Sequence, residues 1–164
     1  MTAARQQRKR RQALGLAWIL AVLLVLVVPV AWAAEDQVVS DSNTGLALGG
    51  ADPVAYFTDA RPLFGRPELE LSKFGTVWRF RNEGNRAAFI ANPDIYKPRF
   101  GGYDPVAVGR GRSVPGHPLY WVVYGERLYL FFTEEARAAF LAEPDQILAT
   151  AERKWPEVVR TIGR

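Results

Sequence analysis

The chain has 164 residues, of which 49% are apolar and 12% aromatic, so it can form a packed domain and cannot be disordered throughout. It has no cysteine, and this excludes disulfides, thiolate metal sites and thiol nucleophiles. It has one histidine, His117. Five of the 21 basic residues precede residue 34, and the rest of the chain carries 16 basic against 17 acidic residues. This balance gives no electrostatic case for nucleic-acid binding.

The first 33 residues have the pattern of a secretory signal peptide. Five basic side chains precede an uncharged apolar run from Ala13, and Ala31-Trp32-Ala33 supplies a small-x-small cleavage pattern. We therefore predict an exported protein, periplasmic or secreted, whose mature chain begins at Ala34. The alternative is an uncleaved N-terminal hydrophobic helix, because the 22 uncharged residues from Ala13 can span a bilayer. That helix would anchor the domain in the inner membrane, facing the periplasm.

An internal repeat follows a polar stretch, residues 34–48, which lacks periodicity and is predicted to be a linker. The sequence GGADPVA at 49–55 recurs as GGYDPVA at 101–107, with six of seven positions identical. Further on, RAAFIANPD at 86–94 recurs as RAAFLAEPD at 137–145, with seven of nine identical. The offset falls from 52 to 51 residues between these blocks. Two repeat units, 49–96 and 101–147, are therefore predicted to share one local structure.

The first unit is predicted to contain short strands and one helix. After the Asp-Pro turn, 55–57 is a short strand candidate, and residues 69–71 and 77–80 alternate as two strands joined at Phe74-Gly75. Asn82 can cap a helix over 84–91, which Pro93 ends.

The second unit predicts the same order of elements. Strands over 120–124 and 128–132 flank Gly125-Glu126, and Thr133 caps a helix that Pro144 ends. A further helix from Asp145 to Ile162 is predicted to be interrupted at Pro156.

The predicted fold is α+β, with two tandem pseudo-repeats of a β-hairpin followed by a helix, packed as one small domain over 49–157. A C-terminal tail, 158–164, follows it, and the N-terminal hydrophobic helix precedes it. The predicted core is aromatic: Trp78, Phe80, Phe89, Tyr129, Phe131, Phe140 and Trp155.

The repeat resembles the YHS domain family, and most closely its small exported bacterial members. The marks are Asp-Pro-Val at 52–54 and 104–106, then Phe-x-x-Glu at 80–83 and 131–134, and Ala-Phe at 88–89 and 139–140. Asn92-Pro93-Asp94 and a late Trp155-Pro156 also match, so the resemblance covers about residues 45–157. It implies a small metal-associated or binding domain.

The chain departs from the family where metal-binding members carry cysteines. The resemblance places those cysteines at Ala55, Arg81 and Asn85 in the first unit, and at Ala107, Phe132 and Ala136 in the second. None of these residues offers the charge and softness of a thiolate. We therefore predict no metal ligands and no cofactor.

The remaining candidates for a site are aromatic and polar residues near the two Gly-Gly turns. A ligand-binding set is predicted from Tyr56, Tyr96, Tyr103, Asp104 and His117, with no catalytic residue. Core packing is the competing interpretation for the aromatic members. The most favoured function is a non-catalytic periplasmic binding or structural module with a protein or small-molecule partner. The alternative is a periplasmic protein that handles copper, zinc or a small cofactor, on family analogy.

Overall fold

The computed structural model describes residues 38–162, and the predicted leader lies outside them. The first repeat contains α1 (Ala55–Thr58), β1 (Arg66–Lys73), β2 (Thr76–Phe80), α2 (Glu83–Ala91) and α3 (Pro93–Tyr96). The second contains α4 (Pro105–Gly109), β3 (His117–Tyr124), β4 (Arg127–Phe131) and α5 (Glu134–Ala142), and the long helix α6 (Pro144–Ile162) begins at its end. A short 3-10 turn lies at the start of each repeat, at Leu48–Gly50 and Arg99–Gly102. The predicted α+β domain of two hairpins, each followed by helices, is confirmed.

The two hairpins share one register. Residues 71–73 pair antiparallel with 76–78, and residues 122–124 pair with 127–129 at the equivalent positions. Both tight turns lie in the left-handed region, at Phe74-Gly75 and at Gly125-Glu126. Such turns match the right-handed twist of the strands they join. Residues that are 51 positions apart are therefore equivalent in backbone geometry as well as in sequence.

The hairpins also share an irregularity at the start of the first strand. The register shifts between Arg66 and Glu70, and again between His117 and Trp121. Just before each shift a glycine lies against the opposite strand, so that a Cβ on Gly65 would lie 2.4 Å from the Arg79 carbonyl carbon. Gly116 stands in the same relation to Leu130. Close backbone approach, rather than an unusual φ, requires glycine at both positions.

The predicted strand over 55–57 is wrong, because these residues form the helical turn α1. The Asp52 carboxylate accepts a hydrogen bond from the Val54 amide, and the Val54 carbonyl accepts from the Phe57 and Thr58 amides and from the Thr58 hydroxyl, so the start of the turn is satisfied locally. The predicted interruption at Pro156 is also wrong, since α6 continues through it to Ile162. Burial of Trp155, Val158 and Val159 holds the helix together there.

The second hairpin lies between two apolar clusters. Trp121, Val123, Leu128 and Leu130 pack against the first cluster, around Trp78, Phe80 and Phe89. The alternate residues of β3 and β4 pack against the second cluster, whose members include Phe131, Phe140 and Trp155. All seven predicted core aromatics are buried. In contrast, the outer face of β1 is exposed at Glu68, Glu70 and Ser72.

Both ends of the predicted domain make further contacts. Within the segment predicted to be a linker, Leu46, Ala47 and Leu48 are buried, and the Ala47 amide donates to the Val77 carbonyl of β2. At the other end, the boundary predicted at residue 157 falls inside α6, and the two valines that follow it are buried.

Candidate functional site

The structure places the five residues predicted to form a site in different surroundings. Tyr56 is fully buried, its hydroxyl donates to the Pro118 carbonyl at 3.1 Å, and burial raises its pKa. Tyr96 lies edge-on against Phe57, with ring centroids 5.3 Å apart. Tyr103 packs against Trp155, and its pKa is also raised by burial. These three rings make core contacts.

Asp104 caps the helical turn α4 and ties it to the end of β4. One carboxylate oxygen accepts from the amides of Val106 and Ala107, at 2.8 and 3.4 Å, and the other accepts from the Phe132 amide at 3.0 Å. Asp104 is buried, with an exposed fraction of 3%. Three amide donors compensate for burying this charge.

Asp52 occupies the equivalent place in the first repeat and is fully buried. Its Oδ1 accepts from the Val54 amide at 2.9 Å, and its Oδ2 accepts from the Arg81 amide at 2.8 Å. A further hydrogen bond reaches Oδ2 from the Asn85 side-chain amide, at 2.7 Å. Sequence reasoning did not select Asp52, although its place in the repeated Asp-Pro-Val was a sufficient signal.

The positions where the resemblance implies cysteines do lie beside these two carboxylates. Arg81 and Asn85 donate to Asp52, and in the second repeat Ala107, Phe132 and Ala136 line a cavity with Asp104. In each repeat, none of the residues at these positions has a side chain that could take the place of a metal-binding thiolate. Within residues 38–162, no three His, Asp or Glu side chains gather closely enough to hold a metal ion.

A groove of about 640 Å³ lies between the two Gly-Gly turns. Gly49 from the first repeat and Gly101-Gly102 from the second lie in its wall. The remaining wall is largely apolar and rich in proline: Val38, Val39, Leu46, Leu48, Ala51, Pro62, Phe64, Pro98, Pro115, Pro118, Leu119 and Leu130. Phe64 and Leu119 are 67% and 59% exposed. The groove therefore offers apolar contact area that residues 38–162 leave uncovered.

His117 is the one member of the predicted set that lines this groove. Its Nδ1 accepts from the Leu119 amide at 3.2 Å, and its ring lies 5.4 Å from that of Tyr120. An accepting Nδ1 places the proton of the neutral ring on Nε2, which is then a donor. Asp41, whose pKa is lowered by hydrogen bonds from Thr44 and Asn43, is the acidic side chain among the lining residues.

Comparison with known proteins adds no relative. No family model, curated protein or solved structure matches this chain. Over residues 38–162, no helix combines the length and the apolar character needed to cross a bilayer. Three features of the chain therefore bear on its function: the groove, the two buried carboxylates and the sequence pattern.

Sequence reasoning missed most of the groove. Its walls come from loops whose prolines and glycines carry no periodic signal, and they meet only because two repeats pack side by side. The sequence did hold one signal, since a Gly-Gly turn that occurs twice predicts two loops of equivalent structure.

Proposed function

We propose that this protein is an exported, non-catalytic binding module of the YHS type that holds a small uncharged molecule with an apolar body. The groove between the repeats is the observation that carries the proposal. Its volume lies within the range of about 300–1,000 Å³ that is typical of small-molecule sites. Its wall combines apolar and proline side chains with a single imidazole and a single carboxylate.

The polar side chains of the groove, Asp41 and His117, indicate the kind of ligand. Asp41 already accepts from the Asn43 and Thr44 amides and from the Thr44 hydroxyl. His117 retains Nε2 as a donor, which suits a carbonyl or ether oxygen on the ligand. An apolar body would cover Phe64 and Leu119, and one polar atom would fix its orientation.

Handling of copper or zinc has less support. The carboxylates nearest the family's metal positions, Asp52 and Asp104, accept amide hydrogen bonds with both of their oxygens. A metal ion would have to compete with those amides for oxygen lone pairs, at two buried positions where the amides secure the fold.

Titration with Nile red, an uncharged apolar dye, tests the groove in the exported chain that begins at Ala34, so that the apolar leader does not bind the dye. Phe64→Ala removes a ring from the groove rim and should weaken dye binding about tenfold. Ser42→Trp adds bulk at an exposed lining residue and should compete with the dye for the space. The matched control is Ile90→Ala, which removes an exposed apolar side chain from α2, outside the groove lining. Equal affinity in all four proteins would contradict the proposal.

Export has a separate test. N-terminal sequencing of the protein recovered from the periplasm should read Ala34 as the first residue, because the cleavage pattern ends at Ala33. Full-length protein confined to the membrane fraction would favour the anchor instead.

A further inference from the structure

The two repeats differ at one position beside their buried carboxylates. In the first repeat, Asn85 extends from α2 and donates to Asp52. The equivalent residue on α5, at an offset of 51, is Ala136, whose methyl group can donate no hydrogen bond. A cavity of about 180 Å³ lies next to Ala136, and Asp104 contributes to its wall.

This difference leaves Asp104 with an available acceptor position. Oδ2 of Asp52 accepts two hydrogen bonds, from the Arg81 amide and from the Asn85 side chain. Among the described residues, Oδ2 of Asp104 accepts one, from the Phe132 amide. A carboxylate oxygen has room for a second donor, and a bound molecule in the cavity could supply it.

Two cations line the same cavity. Arg110 and Arg112 follow α4 and are both exposed, and neither makes an ion pair within residues 38–162. The N-terminus of α5 adds positive potential, since Thr133 caps it beside the cavity. The first turn of α5 holds two acidic residues, Glu134 and Glu135, and neither lines the cavity. Glu134 is bound by Arg137, and that pairing lowers its pKa. Two guanidinium groups against the one carboxylate of Asp104 leave a site that favours an anion.

We propose that this cavity binds a small carboxylate that carries a hydroxyl or ammonium group on the adjacent carbon, such as an α-hydroxy or α-amino acid. Its carboxylate would pair with Arg110 and Arg112, and its hydroxyl or ammonium group would donate to Oδ2 of Asp104. The ligand would thus meet both the guanidinium groups that have no ion pair within residues 38–162 and the available acceptor position on Oδ2 of Asp104. The volume of the cavity limits the ligand to a few heavy atoms. The site is separate from the groove proposed above, and neither proposal depends on the other.

Glycolate is the probe, added to the full-length chain while backbone amide signals are followed by NMR. The signals of Ala107, Phe132 and Ala136 should shift in a saturable manner. Arg110→Gln with Arg112→Gln should weaken glycolate binding about tenfold or more, because two charge-assisted contacts are lost at exposed side chains. Ala136→Asn should abolish binding, because the new side chain can reach Oδ2 of Asp104 as Asn85 reaches Asp52. The matched control, Arg61→Gln, changes the arginine equivalent to Arg112 in the first repeat and should leave binding unchanged.

Two further ligands test the chemistry of the assignment. Acetate lacks the donor and should bind about fivefold more weakly than glycolate, since one hydrogen bond is lost. Inorganic phosphate distinguishes a simple anion site from the proposed one, and binding as tight as that of glycolate would overturn the proposal. Unchanged glycolate binding in the double arginine variant, whose substitutions lie on the surface, would overturn it as well.

Discussion

Phe89 and Phe140 are equivalent residues, and each is fully buried at the centre of its own repeat. The centroid of the Phe89 ring lies 4.6 Å from that of Trp78 and 5.4 Å from that of Phe80. The Phe140 ring lies 5.3 Å from Tyr129 and 5.1 Å from Phe131. Each phenylalanine joins the helix that follows a hairpin to the second strand of that hairpin.

We predict that Phe89→Ala and Phe140→Ala each lower the free energy of unfolding by about 3–5 kcal/mol, because each leaves a cavity among rings that cannot close over it. Chemical denaturation measures the loss. The next residues along the chain, Ile90 and Leu141, provide matched controls, being 48% and 51% exposed. Their replacement by Ala should change stability by less than about 1 kcal/mol. A similar loss at buried and exposed positions would contradict the assignment.

Tyr56 predicts how stability depends on alkaline pH. Burial raises its pKa in the folded state, so the folded protein keeps this phenol neutral while the unfolded chain ionises it near pH 10. The stabilisation is complete below that pH and is lost above it, by about 1.4 kcal/mol for each pH unit. Tyr56→Phe should make the loss between pH 10 and pH 11 smaller by about 1 kcal/mol, because the phenol of the unfolded chain is already half ionised at pH 10. At neutral pH the same variant should lose about 1 kcal/mol, because the hydrogen bond to the Pro118 carbonyl is gone.

Measurements of unfolding free energy at pH 8, 10 and 11 test this prediction. Equal slopes in the wild type and the variant would show that Tyr56 ionises in the folded protein as readily as in the unfolded chain. Tyr103 and Tyr129 are also buried enough to raise their pKa, so part of the alkaline loss should remain in the variant.

Each hairpin depends on a glycine that lies against its partner strand. Gly65→Ala and Gly116→Ala should each cost about 2–4 kcal/mol, because a Cβ there would overlap backbone or Cβ atoms 2.4 Å away. Gly75→Ala is the contrasting variant: its φ is +72°, but no atom lies within 4 Å of the added Cβ. It should cost only about 1 kcal/mol, the strain of the left-handed conformation. Similar losses in all three variants, measured by denaturation, would contradict the steric explanation.

Most of these elements could be predicted from the sequence, because their signals are local. Alternating residues and turn glycines located both hairpins, and Asn82 and Thr133 do cap the helices they precede, each accepting from the amide three residues on. The helical turn α1 was missed because an Asp-Pro start and a buried carboxylate outweigh the strand propensity of three residues. Of the predicted site, only His117 lines the groove, since distant loops build it.

The two repeats differ in what covers them. Trp121, on the face of β3 that packs against the first repeat, lies edge-on against Tyr56 with ring centroids 5.2 Å apart. The second repeat is covered instead by α6, through Trp155 and Val158. The equivalent outer face of β1 carries Glu68 and Glu70, which face solvent. A tandem array needs such a polar face at its end to stay soluble, and here the first hairpin provides it.

Exchange of the equivalent residues Glu70 and Trp121 tests this arrangement of faces. Trp121→Glu should cost more than about 3 kcal/mol, because it removes a ring from the contact between the repeats and leaves a carboxylate against an apolar cluster. Glu70→Trp should change stability by less than about 1 kcal/mol, since Glu70 is exposed and its ion pair with Arg79 is a surface one. Glu70→Gln removes that ion pair without adding apolar area and separates the two effects. Denaturation measures the free energy of unfolding of the three variants. Comparable losses for Trp121→Glu and Glu70→Trp would mean that both hairpins present the same kind of face. The repeats would then not be stacked through β3.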